Sequence, residues 1–237
     1  MAKIRINGVV IPNDYKWIYD LFEIDATCPA DVSKIIDTLA GEDIEVEINS
    51  PGGDVYSGSE IYTALMGYGG KLIIKIMGVA ASAASVIAMA GRPTMISPTA
   101  QIMIHNITEG VYGDYRTLEY EAEVLKNYNI SIANAYQLKT GMTQEKLLEL
   151  MSAGVENRGT WLNAQQAKEL GFADEIMFDT GNRLTASASQ AIMLPEQVIN
   201  KIRNLIPKPS NQNGGEDKSL LQCRLNFLKL KGEKFDD

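Results

Sequence analysis

One histidine, His105, serves a chain of 237 residues. A hydrolase that draws on an imidazole base therefore has a single candidate for it, and a centre built from several histidines is excluded. Cysteine is nearly as scarce. Cys28 and Cys223 stand far apart, with no Cys-x-x-Cys or Cys/His ligand spacing, so neither a structural zinc nor a disulfide framework is expected. Lys and Arg number 22 against 30 Asp and Glu, a net charge of −8. No element concentrates the basic residues, which argues against a nucleic-acid partner. Long hydrophobic runs are missing as well. The longest low-charge stretch, residues 79–91, is too short and too rich in Ala and Ser to span a bilayer. The opening MAKIRINGVV has no apolar core of a secretory signal. These absences lead us to expect a cytoplasmic protein that uses neither membrane nor metal.

The composition, 45% hydrophobic and 22% charged, is that of a soluble globular protein, and 237 residues fit one domain with an extension or two small domains. IEVEI (44–48) and LIIKIM (72–77) read as short buried strands. Between them Val55, Ile61, Leu65 and Met66 recur at roughly helical spacing, until Gly69 and Gly70 stop the run. Strand, glycine-rich turn, helix and strand make a βαβ unit, so the fold class is α/β with a parallel sheet. LIIKIM then leads into GVAASAASVIAMAG, whose small residues suit a closely packed helix. PTMIS and QIMIH follow as two short apolar runs. Residues 114–139 form the longest charged helical segment, with Leu118, Ala122, Leu125, Ile132 and Tyr136 along one stripe. Asn163 and Gln166 have capping-box spacing for a short helix ended by Gly171, and ADEIM closes as a strand. Beyond residue 178 the sequence becomes polar and weakly patterned. We expect a domain over 1–178 and a flexible extension over 179–237.

Serine attacks a carbonyl only when a base removes its proton and fixed donors receive the oxyanion. Ser82 ends GVAAS, where a strand turns into a helix between small residues, and the N–H of Ala83 is a natural oxyanion donor. NSPGG (49–53) follows a neighbouring strand, so a glycine N–H there is aimed at the same end of the sheet. His105 closes QIMIH at a third strand end. Taken singly, each segment has an ordinary structural explanation: a packing helix (Ser85 has no other evident role), a βα turn, a core histidine. Their order and spacing are what point to a site.

The segments INSPGG, GVAAS and MIHN together resemble the proteolytic subunit of the Clp protease family, serine peptidases with the Clp/crotonase fold. The resemblance covers roughly residues 3–177. It implies a repeated βαβ core (a β-superhelix) with a protruding handle helix, here the one from Asp114, and a ring, heptameric or doubly heptameric, that encloses the active sites. It implies Ser82 as nucleophile, His105 as general base, and the N–H groups of Gly53 and Ala83 as the oxyanion hole. It also places EGVYG (109–113) where the family has a strand that pairs with extended substrate. No cofactor is implied. IPNDYKWIYDLFEIDATCPADV and TWLNAQQAKELGFADEI look more like the phage and prophage branch, associated with head maturation. The partners implied are then a scaffold or capsid precursor as substrate, or an AAA+ unfoldase.

The sequence departs from the family at the third triad position. The family's orienting acid falls just before the segment matching TWLNA, where this chain has Gly159; Glu156 and Asn157 are the substitutes if the loop is shifted. An acid there fixes the imidazole tautomer and stabilises the imidazolium. Its absence keeps open a catalytically impaired assembly or scaffold component. A crotonase-like acyl-CoA enzyme is the remaining alternative, disfavoured because the chain offers a Ser/His pair and no paired carboxylates.

Overall fold

A computed structural model describes residues 1–39, 41–154 and 158–179. The extension expected beyond Asp179 lies outside the described residues, as do Glu156 and Asn157. The first strand, β1 (Ala2–Val10), was not anticipated from the sequence. A 3-10 turn at Asn13–Tyr15, α1 (Lys16–Leu21), β2 (Ala26–Thr27) and α2 (Pro29–Ile36) lead to β3 (Ile44–Gly53). The βαβ unit then runs through α3 (Val55–Met66) to β4 (Leu72–Ala81). Next come α4 (Ala83–Ala88), β5 (Thr94–Ile96), β6 (Gln101–Ile104), α5 (Tyr115–Thr140) and α6 (Gln144–Met151). The described region closes with β7 (Thr160–Asn163), α7 (Ala164–Glu169) and β8 (Glu175–Ile176). Asn163 and Gln166 make the anticipated capping box. No helix among the described residues is long and apolar enough to cross a membrane.

The strands lie in the order β2-β1-β3-β4-β5-β8, all parallel along this path. β4 is the branch point. Its first half pairs with β5 through Ile74–Ile76, and its last residues, Val79–Ala81, pair with β6. β6 in turn takes β7 as its antiparallel partner, with Ile104 opposite Thr160. The fork follows an irregularity in the β3–β4 ladder, where the register jumps between Ile48↔Ile76 and Ser50↔Ala80. Gly78 makes the bend sterically feasible, since a Cβ there would lie 2.5 Å from the Asn49 side-chain oxygen.

The core sits on one face of this sheet. Ile4, Ile6, Ile44, Val46, Ile48, Ile74 and Ile76 are buried and pack with Ile61 and Leu65 of α3 and Ile87 of α4. The opposite face carries charged side chains. There Lys3 bridges Glu45 and Glu47, Arg5 pairs with Glu47, and Lys75 pairs with Glu45. IEVEI is the buried strand expected, with Glu45 buried and Glu47 half-buried against their cations. Both glutamates are held below the usual carboxylate range by these ammonium partners.

The long helix α5 starts at its Asp114 cap, which accepts from the N–H of Thr117. Only Ala133, Ala135 and Tyr136, near its C-terminal end, are buried. Leu118, assigned to the buried stripe by its spacing, is 48% exposed, and among the described residues no element covers that half of the helix. If the branched strand carries the core, Ile76→Ala lowers the unfolding free energy by about 2–5 kcal/mol and Ile76→Val by about 0.5–1.5 kcal/mol. Chemical denaturation at fixed protein concentration checks this gradation.

Candidate active site

Three adjacent strands deliver the predicted residues to one place. β4 ends at Ala81, and Ser82 turns the chain into α4 with φ +55° and ψ −127°. The strand thus extends farther than its β-branched part suggested, and GVAA belongs to it and not to the helix. Ser82 is held on both sides of its α-carbon. Its N–H donates to the Met103 carbonyl on β6 (2.9 Å), while its carbonyl accepts from the N–H of Ser85 (2.9 Å) and from the Ser85 hydroxyl (2.6 Å). Since α4 begins at Ala83, the N–H of that residue is at the first helical position and has no intrahelical acceptor.

The NSPGG turn closes against this bend. Gly52 has φ +91°, and a Cβ on it would lie 2.5 Å from the Ala81 carbonyl oxygen and 2.7 Å from the Ser82 Cβ. Only glycine fits between the two turns. Ser50 braces the loop, donating to the Gly8 carbonyl (2.6 Å) and accepting from the Gly52 N–H (3.1 Å). At Gly53 the Val10 carbonyl takes the following N–H, that of Asp54. Asp54 then caps α3 by accepting from the Ser57 N–H (2.7 Å).

His105 follows the last residue of β6, and its Nε2 lies 2.8 Å from the Ser82 Oγ. Burial pushes the imidazole pKa below its ordinary value, because a desolvated ring resists taking a charge. A small cleft beside the pair is lined by Gly53, Ala83, Ile107, Ile132 and Tyr136, and a neighbouring cavity of about 180 Å³ by Val55, Tyr62, Val86, Tyr128 and Leu138. The structure thus brings Ser82, His105, Gly53 and Ala83 together. The loop 109–113, expected as a strand, has no regular structure in the single chain.

Gly159 stands directly behind the histidine. With φ +86°, a Cβ here would lie 2.1 Å from the Ile104 carbonyl oxygen and 2.5 Å from the His105 Cβ. β7 begins at the next residue and lies against β6, so the backbone at 159 fills the space beside the ring's own backbone. No side chain, acidic or otherwise, fits at this position. Among the described residues, no carboxylate hydrogen-bonds to His105, and no group of three His, Cys, Asp or Glu side chains is placed to hold a metal ion.

Comparison with known families agrees with this geometry, since the Clp protease family matches residues 23–180. The chain belongs to the Clp protease family. Its relatives include the "ATP-dependent Clp protease proteolytic subunit" of Bacteroides fragilis, 32% identical over 139 residues, and that of Deinococcus radiodurans, 30% identical over 141. "ATP-dependent Clp protease proteolytic subunit 3" of Streptomyces avermitilis is 31% identical over 138 residues. These matches cover 58%, 59% and 57% of this chain, and 65%, 67% and 61% of the relatives. The chain thus spans about two-thirds, or less, of these three relatives.

Several features of the site had no separate sequence signal: the clearance at Gly52, the Met103 carbonyl under Ser82, and the use of Ser85 as a hydroxyl donor. Only the glycine had a trace, as one of a pair in a βα turn.

The lone histidine makes the electrostatics directly measurable. In untagged protein a single imidazole resonance titrates, and its midpoint falls below the ordinary value of 6.5. A midpoint at or above 6.5 would mean that an unseen anion compensates the burial.

Proposed function

We propose that this chain is a serine endopeptidase acting through a Ser82–His105 acyl-enzyme mechanism. One observation carries the reading: the Ser82 Oγ, at the apex of a positive-φ turn, lies 2.8 Å from the Nε2 of the chain's only histidine. Neutral His105 removes the hydroxyl proton as Oγ attacks the carbonyl carbon of a peptide bond. The carbonyl electron pair moves onto oxygen, which the N–H groups of Gly53 and Ala83 receive. As the C–N bond breaks, His105 gives its proton to the leaving amine, and the acyl group stays on Ser82. A water then gives up a proton to His105 and attacks the acyl carbon; as the acyl–Oγ bond breaks, His105 returns the proton to the Ser82 Oγ and the acid product leaves. Ser82, His105 and the attacking water account for every proton moved in this sequence, and no cofactor enters it.

The weak element is the orientation of the ring. Gly159 has no side chain to offer the second imidazole nitrogen, and Glu156 or Asn157 substitutes for it only if the loop before Gly159 is shifted. A catalytically weakened assembly component is the second reading, supported by the lack of a carboxylate partner for His105 among the described residues. Ring assembly with no turnover of any peptide would favour it.

The exposed half of α5 supports a homo-oligomer. Leu118, Tyr120 and Ile130 present apolar surface that a second copy would cover, consistent with handles meeting between two heptameric rings. The N-terminal segment IPNDYKWIYDLFEIDATCPADV supports placement in the phage or prophage branch. Its substrate there is a scaffold or capsid precursor, cleaved in the host cytoplasm with or without an AAA+ unfoldase.

Ser82→Ala tests the chemistry. It lowers kcat by several orders of magnitude, up to about 10⁶-fold, and abolishes labelling by a fluorophosphonate, read as an intact-mass shift. Labelling that survives Ser82→Ala and disappears with Ser85→Ala would assign the wrong serine.

A further inference from the structure

We propose that Tyr136 and Ser85 are positioning residues for the Ser82 turn, linked in series as a hydroxyl relay from α5 to the Ser82 carbonyl. The proposal rests on Ser82 being the nucleophile. Ser85 has one hydroxyl proton, and it points to the Ser82 carbonyl oxygen at 2.6 Å. The Tyr136 hydroxyl lies 2.8 Å from the same Ser85 Oγ. Because the Ser85 proton is already committed, Tyr136 is the donor in that contact. The direction is fixed: Tyr136 to Ser85 to the Ser82 carbonyl.

Three observations make this more than two core hydroxyls satisfying each other. First, the terminal acceptor belongs to a residue at φ +55°, a conformation that persists only where neighbours over-determine it. Second, Tyr136 itself lines the cleft that holds Ser82 and His105. Third, α5 grips α4 at both of its ends. Tyr136 holds Ser85 near its start, while the Lys139 Nζ donates to the Gly91 carbonyl beyond its finish (2.9 Å) and pairs with Asp174 (2.5 Å). Phe172 fixes the Tyr136 ring from the other side, with centroids 5.7 Å apart in an edge-on arrangement. Burial also pushes the phenol far above its usual range, so Tyr136 donates at every working pH and the relay adds no titration of its own.

A role in positioning and a role in stability separate in a double-mutant comparison. Ser85→Ala leaves the buried Tyr136 hydroxyl without its acceptor, so it lowers Tm; adding Tyr136→Phe removes the orphan and recovers part of that loss. Activity behaves differently. Ser85→Ala lowers kcat and the rate of fluorophosphonate labelling by about 5- to 30-fold, the size of one buried hydrogen bond, with KM unchanged. Tyr136→Phe lowers them less, and the double variant stays at the Ser85→Ala level although its Tm has risen. The acid limb of the pH profile keeps its midpoint in all three. Where Ser85→Ala fails to assemble, Tyr136→Phe and the double variant carry the comparison. Wild-type rates in the variants, or activities that rise and fall with Tm, would overturn the relay. Wild-type protein that neither cleaves nor labels would instead overturn the Ser82 reading beneath it.

Discussion

A side-chain-bearing residue at φ +55° and ψ −127° occupies a region that costs about 1–3 kcal/mol to hold. Ser82 is kept there by the Met103 carbonyl on one side and by Ser85 on the other. The rest of the site depends on that bend. It brings the Oγ to His105, and α4 begins at the very next residue, Ala83. A relaxed strand end would carry the same serine without presenting it to either group.

Two further constraints make the bend usable. β4 must pair with β5 early and with β6 late, and the irregularity beside Gly78 allows this fork. Without it β6 would not run beside the end of β4, and His105 would not arrive next to Ser82. Space must also be left around the turn, and here backbone replaces side chains. Gly52 clears the front of the serine, and Gly159 clears the back of the histidine. The same close packing that seats His105 leaves no room for an orienting acid at residue 159, so an orienting group must come from elsewhere.

The parallel sheet and the meeting of strand ends were legible in the sequence, because β-branched runs, glycine-rich turns and the order NSPGG, GVAAS, MIHN encode them locally. Strand lengths were less so. Gly78 to Ala81 reads as the start of a small-residue helix, yet pairing with β6 makes it strand. IEVEI was legible as a buried strand, but the ion pairs that let Glu45 and Glu47 sit in it come from β1 and β4 and have no local signal. The fit at Gly159 depends on β7 lying antiparallel against β6, a contact between residues more than fifty positions apart. The pairing of Ser85 with Tyr136 is likewise long-range, and each residue alone reads as packing. Loop 109–113 carries strand-like residues without a partner strand among the described residues.

The central claim is that Ser82 and its two flanking amides form one acyl-transfer site. A crystal structure of the fluorophosphonate adduct tests it most directly. The account predicts phosphorus bonded to the Ser82 Oγ, with one phosphonyl oxygen about 3 Å from the N–H groups of both Gly53 and Ala83. Phosphorus on another residue, or a phosphonyl oxygen turned away from these amides towards solvent, would contradict it.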